Sequence, residues 1–228
     1  MIKRLMVVFA FAAVVSTPVS AVISYSENGV QTDIPGVAGF QTNGARMDGM
    51  QVTACFSGIG CETRAWADGG GAGSGGVTGT GWALSVTGDT FTADWEFDFT
   101  NTPGQLLTLL LDGRGALTIF DRTRLAGDPG GIFGSTGSFR GLDWTSALGD
   151  NTDIDVIFRD PTTVGGAPVV GDLFQQVFVD FGDTGPRVDF TFQQDTDNDS
   201  RLQIPEPSTL LLLGLGMLAF AGVHRQRV

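Results

Sequence analysis

From Met50 onward apolar and polar residues alternate in short runs, and glycine, proline, aspartate or asparagine closes nearly every run. "MQVTACF" and "CETRAWA" read as two strands of a hairpin, with Ser57-Gly58-Ile59-Gly60 at the turn. "TGWALSVTGDTFTADWEFDFTN" alternates through two runs separated by Gly88-Asp89. "QLLTLLLDG", "GALTIFDR", "DIDVIFRD", "LFQQVFVDFGD" and "RVDFTFQQ" continue the series. No long stretch carries the 3.6-residue period of an amphipathic helix. "QLLTLLL" has helical propensity, but "DGRG" and "GALTIFD" after it suggest a buried strand turning back as a hairpin. Strands recurring this often predict an all-β fold, an antiparallel sandwich or jelly-roll-like ectodomain.

The two ends break the pattern. Lys3 and Arg4 precede the apolar run Leu5 to Val15, and "STPVSA" places small residues at Val19 and Ala21. A basic start, an apolar middle and a small-residue site make residues 1–21 a signal peptide, cut after Ala21. At the other end residues 208–223 are apolar, and Leu210 to Val223 are its greasiest part. At ~1.5 Å rise per residue this run reaches about 24 Å, slightly less than a hydrocarbon core. Its terminal position, the prolines that start it and the basic residues after it argue for a membrane span rather than a core helix. His224, Arg225 and Arg227 in the 224–228 tail would hold its end on the cytoplasmic side. Gly214, Gly216 and Gly222 weaken a soluble helix more than a membrane one. Between the ends lie an ectodomain over 22–194 and an acidic, solvated linker over 195–204.

Charge and composition narrow the chemistry. Residues 22–204 hold nine basic residues, all arginine, against 24 acidic ones. Such a field repels nucleic acid, so none is expected as a partner. The chain's one histidine is His224, and residues 22–204 contain no lysine. A Ser-His-Asp or Cys-His site, a histidine zinc site and a Schiff-base lysine are therefore excluded from the ectodomain. Two cysteines, Cys55 and Cys61, occupy opposite arms of the first hairpin. Behind a signal peptide the compartment is oxidising, which predicts a cross-strand disulfide.

Three constellations could carry function. In "DWEFDF" alternation puts Asp94, Glu96 and Asp98 on one strand face, with successive carboxylates about 7 Å apart. Glu96 and Asp98 could then serve as the carboxylate pair of a glycosidase. Thr100 and Asn101 stand where an acid/base glutamate would be needed, and a solvated acidic face explains the pattern equally well. In "DTDNDSRLQIPE" Asp195, Asp197 and Asp199 occupy alternating positions of a calcium loop, but Ser200 replaces the glycine such a loop needs. At most a partial, weak Ca²⁺ site results, and no cofactor is assigned. Trp66, Trp82, Trp95 and Trp144 could stack on sugar rings or simply fill a core. "GGGAGSGG" (69–76) lacks the Lys-Ser/Thr of a phosphate cradle and reads as a flexible loop.

Pro205-Glu206-Pro207, a glycine-containing apolar run and Arg225-Gln226-Arg227, in that order at the terminus, resemble the PEP-CTERM sorting signal of Gram-negative bacteria. The resemblance implies an exosortase, a membrane protease that recognises the tripeptide and removes the tail. It also implies transient anchoring in the inner membrane and delivery to the cell surface or extracellular matrix. "MDGMQVTACF", "GWALSVTGDTF", "DGRGALTIFDR" and "FTFQQDTDN" are similar to segments of other PEP-CTERM exoproteins. Such proteins accompany exopolysaccharide, biofilm or floc, so the resemblance implies a non-enzymatic structural or adhesive role. A carbohydrate-binding or carbohydrate-cleaving protein is the alternative.

Overall fold

The computed structural model describes residues 22–29, 32–34, 42–71, 73–101, 104–116, 118–122, 141–148, 153–164 and 173–198. The expected signal peptide at 1–21, the PEP tripeptide, the expected span at 208–223 and the basic tail all fall outside them. Among the described residues, no helix is long and apolar enough to cross a membrane.

Period-two sequence becomes strand, as expected. The strands are β1 Ile23–Asn28, β2 Thr32–Ile34, β3 Gln51–Phe56, β4 Gly60–Ala65, β5 Ala67–Asp68, β6 Ser74–Gly79, β7 Trp82–Thr87 and β8 Trp95–Phe99. They continue with β9 Leu106–Asp112, β10 Thr118–Asp121, β11 Thr145–Ser146, β12 Ile154–Val164, β13 Leu173–Asp180, β14 Phe190–Gln193 and β15 Asp195–Asn198. The larger sheet runs β1-β12-β13-β9-β3-β4, with β2 on β12 and with β10 joining β13 to β15. The smaller sheet runs β11-β14-β8-β7-β6-β5.

One hydrophobic cluster draws on both sheets. Val52, Ala54 and Phe56 of β3 point into it, as do Leu109 and Leu111 of β9 and Val156 and Phe158 of β12. From the smaller sheet come Trp82, Leu84, Val86, Trp95, Phe97, Phe190 and Phe192. Aromatic rings form a ladder across that face, with Trp82 on Phe97 at 5.7 Å and Phe97 on Phe190 at 5.2 Å. Trp95 stacks on Phe192 at 5.5 Å and Trp144 on its neighbour Phe192 at 3.9 Å. Phe56 meets Trp82 across the two sheets at 6.4 Å. Each such pair adds about 0.5–1.5 kcal/mol beyond area burial.

The structure differs from the sequence reading in four places. β1 and β2 pair with β12 in parallel, so the fold is not purely antiparallel. Pro161, which has no N–H to donate, falls in the gap between Arg159, the last partner of β1, and Thr162, the first partner of β2. β9 and β10 do not form a hairpin. Both run antiparallel to β13, β9 against Gln176–Asp180 and β10 against Leu173 and Phe174. They are one strand interrupted by the 3₁₀ turn Gly113–Gly115, where the Asp112 carboxylate accepts from the Arg114 N–H. After the break β10 acquires a different outer neighbour, β15 in place of β3.

The glycine-rich stretch at 69–76 is not all loop, because Ser74–Gly76 open β6. Gly75 is required there. A Cβ at this position would collide with the Gly44 carbonyl and the Trp66 indole nitrogen, where the 3₁₀ turn Gly44–Met47 lies on the sheet. Finally, residues 195–198 are strand β15 rather than the start of a solvated linker. They pair with β10, and Asp195, Thr196 and Asp197 are buried.

Candidate functional sites

The β3–β4 hairpin forms as predicted, with Cys55 directly opposite Cys61 and the two joined in a disulfide. Gly58 and Gly60 take the positive φ angles, 83° and 90°, that the turn requires. Val52, Ala54 and Phe56 face the core, so alternation sends Cys55 to the opposite face of the sheet. The bond closes an exposed edge.

Beside it stands a residue that the sequence did not single out. Glu62 on β4 reaches the β6–β7 turn of the other sheet, where its carboxylate accepts from the Thr80 N–H at 2.7 Å and the Trp82 indole N–H at 2.8 Å. The Thr80 hydroxyl donates at 3.1 Å and Arg64 Nε at 2.9 Å. Chiefly the Thr80 backbone hydrogen bond, helped by Trp82 and Arg64, holds this carboxyl down at about 2. One carboxylate thus joins the two sheets at this edge and satisfies an otherwise buried indole. In sequence it is only a charged residue on an edge strand.

Asp94, Glu96 and Asp98 lie where alternation put them, exposed on the outer face of the smaller sheet, with Trp95 and Phe97 buried beneath. Their neighbours belong to the surface. Glu96 pairs in register with Ser85 and Thr191, and Asp94 accepts from Gln193 Nε2 at 2.8 Å. The four tryptophans are at most 1% exposed. Of the two roles the sequence left open for these rings, the structure gives them the core, with no face free to stack on a sugar. Trp66 donates to the Gly44 carbonyl at 2.8 Å, and Trp95 donates to the Gln194 carbonyl at 3.0 Å.

Of the calcium-loop candidates, Asp199 lies outside the described residues, while Asp195 and Asp197 sit in β15 opposite Asp121 and Ile119. A paired strand replaces the loop that such a site needs. Among the described residues, no group of three or more His, Cys, Asp or Glu side chains is placed to hold a metal ion. What the structure builds instead is a buried polar knot. Thr90 donates to Asp195 Oδ1 at 3.2 Å and accepts from the Thr196 N–H at 3.1 Å. Gln194 Nε2 donates to the carbonyls of Asp121, Leu142 and Asp195. Burial, with the charge of Asp89 nearby, raises the Asp195 carboxyl to about 7 against the lowering pull of Thr90 and the Thr196 N–H.

A second knot ties the other edge of the larger sheet. Arg122 donates to Glu27 of β1 and to Asp143, and its guanidinium lies 4.7 Å from the Phe158 ring and 5.4 Å from Tyr25. Tyr25 in turn donates to the Trp144 carbonyl at 2.7 Å. Nothing in the pattern around "TIFDR" marks this arginine in sequence, because its partners lie at distant chain positions.

Comparison with known proteins adds one match. The PEP-CTERM protein-sorting motif covers residues 203–226, including Pro205, Glu206 and Pro207. No curated protein and no solved structure matches the chain at a significant level. A two-sheet β-domain carrying the Cys55–Cys61 disulfide therefore precedes a recognised address at the C-terminus. The chain thus carries a PEP-CTERM protein-sorting motif over residues 203–226.

Proposed function

We propose that this chain is a secreted or surface-anchored exoprotein, a structural or adhesive component of an exopolysaccharide matrix, without catalysis of its own. The sorting motif at 203–226 carries the reading. In this scheme the signal peptide is removed after Ala21, and Cys55 and Cys61 are oxidised outside the cytoplasm. The span at 208–223 anchors the chain transiently in the inner membrane, with the basic tail on the cytoplasmic side. An exosortase-type membrane protease then acts at Pro205-Glu206-Pro207, and the β-domain passes to the cell surface or matrix. Its construction suits that destination: a covalent bond at one exposed edge, a carboxylate joining the sheets, and a core dense in aromatic rings.

The proposal is tested by Glu206→Ala in the full-length chain. The expected result is a membrane-retained protein with its tail intact. Normal release of the variant would refute the sorting step. For the enzymatic alternative, nothing beyond exposure favours Glu96 and Asp98. The purified protein is expected to leave matrix polysaccharide at its original chain length. Cleavage by the wild type that disappears in the Glu96→Gln/Asp98→Asn variant would overturn the non-catalytic role.

A further inference from the structure

Most sheet edges of this fold are closed or short. β5 and β11 are two residues long and β2 three. β4 carries Glu62, Arg64 and the disulfide. The outer side of β15 is taken up by Thr90, which accepts from the Thr196 N–H and donates to the Thr196 carbonyl. Among the described residues β1 is the long edge left open. Its Ser24 to Asn28 are all exposed, and Ile23–Asn28 contains no proline, lysine or arginine. An edge without these guards is a template for another strand.

The direction of its free groups follows from one hydrogen bond. The Ile154 N–H donates to the Val22 carbonyl at 3.0 Å. In a parallel ladder alternate residues turn both backbone groups to the same neighbour, so Val22, Ser24, Ser26 and Asn28 serve β12. Ile23, Tyr25 and Glu27 turn their N–H and carbonyl groups outward, and alternation puts their side chains on one face.

We infer that β1 is a dimerisation edge, which joins a second copy of this chain antiparallel about a two-fold axis at Tyr25. Tyr25 then faces the partner's Tyr25, and Ile23 faces the partner's Glu27. Every outward backbone group finds a partner, and no like charges stand opposite each other. A two-fold interface requires such a self-complementary strand. On an acidic body this edge is nearly neutral: the side chains of Val22 to Ser26 carry no charge, and Arg122 meets Glu27. Val22 and Tyr25, 63% and 39% exposed, add apolar surface there. The larger sheets of the two copies become one continuous sheet.

The test is sedimentation equilibrium of the protein purified from the cells that make it, with folding read by near-ultraviolet dichroism of the buried tryptophans. The wild type is expected to dimerise as concentration rises. Tyr25→Pro and Tyr25→Ala lose the same ring, but only proline removes the outward N–H, and neither touches the β12 ladder. Alanine is expected to dimerise and proline to stay monomeric. A wild type that is monomeric up to about 1 mM overturns the inference. So does a proline variant that dimerises, or an alanine variant that does not, because backbone pairing would then not be what joins the copies. Cross-linking checks the register even if the proline variant fails to fold. Opposed Tyr25 positions lie about 5.5 Å apart between Cα atoms, within disulfide range, whereas the two copies of Ile23 lie more than about 13 Å apart. Oxidised Tyr25→Cys is expected to form a covalent dimer and Ile23→Cys is not; equal cross-linking of both, or of neither, overturns the pairing.

Discussion

Replacing Asp195 by asparagine should make the protein more stable at neutral pH, although a hydrogen-bonded group is altered. The residue is 7% exposed, and its carboxyl is raised from 3.8 to about 7 by desolvation, with Asp89 adding to the effect. Asp121 faces it from β10, Asp197 lies two residues along its own strand, and Thr90 supplies the hydroxyl it accepts from. An acid whose folded pKa is raised binds its proton more tightly when folded. Its contribution is fully present below the unfolded value near 4 and is lost as pH rises through about 7. A gap of about three units, at ~1.36 kcal/mol each, sets a ceiling of about 4 kcal/mol on that loss. Asparagine mimics the protonated acid, since Oδ1 can accept from Thr90 and Nδ2 replaces the acid O–H as donor. The assay is urea unfolding followed by tryptophan fluorescence from pH 4 to pH 8. Wild-type stability should fall across that range, the Asp195→Asn curve should fall less, and the variant should be the more stable of the two at pH 8. Two parallel curves would refute the assignment, because the carboxyl would then titrate alike folded and unfolded.

Three other perturbations probe separate parts of the fold. Glu62→Gln removes the charge from the oxygen that accepts from both the Thr80 N–H and the Trp82 indole, and turns the acceptor of Arg64 and the Thr80 hydroxyl into a donor; it should cost about 1–3 kcal/mol in denaturant unfolding. Glu62, held near 2, should also stabilise with the opposite sign to Asp195: its contribution is lost as pH falls from about 4.5 towards 2, and the glutamine variant should lack that acid limb. Replacing Cys55 and Cys61 together by serine should lower stability by about 2 kcal/mol while preserving the far-ultraviolet spectrum, because the bond closes only a short loop. Gly75→Ala should destabilise far more than alanine at exposed Thr78, since its Cβ has no space beneath the Gly44 turn; comparing the two melting temperatures checks this.

Local pattern was informative where one strand face meets the core. β3, β7 and β8 each bury every second residue, and the Cys55–Cys61 pairing follows from hairpin register. It failed where a distant neighbour decides. Asp112 to Gly115 carry turn chemistry compatible with a hairpin, yet β13 pairs with the segments on both sides of the turn and keeps them running in one direction. The parallel pairing of β1 is set by β12, more than a hundred positions away. "DTDN" has no apolar residue to announce burial, and becomes a strand because Thr90, Gln194 and β10 satisfy its polar groups. The tryptophans were ambiguous for a related reason, because a ring suited to a sugar face is equally suited to a core. The sorting tail was readable without any fold, since its parts are recognised in chain order.

The most direct test of the whole account is the intact mass of the protein recovered from outside the cells that make it. A chain beginning at Val22, lacking the apolar segment and basic tail beyond the PEP motif, and short of the two hydrogens of Cys55 and Cys61 is the expected result. A secreted protein that still carries residues 208–228 would contradict it.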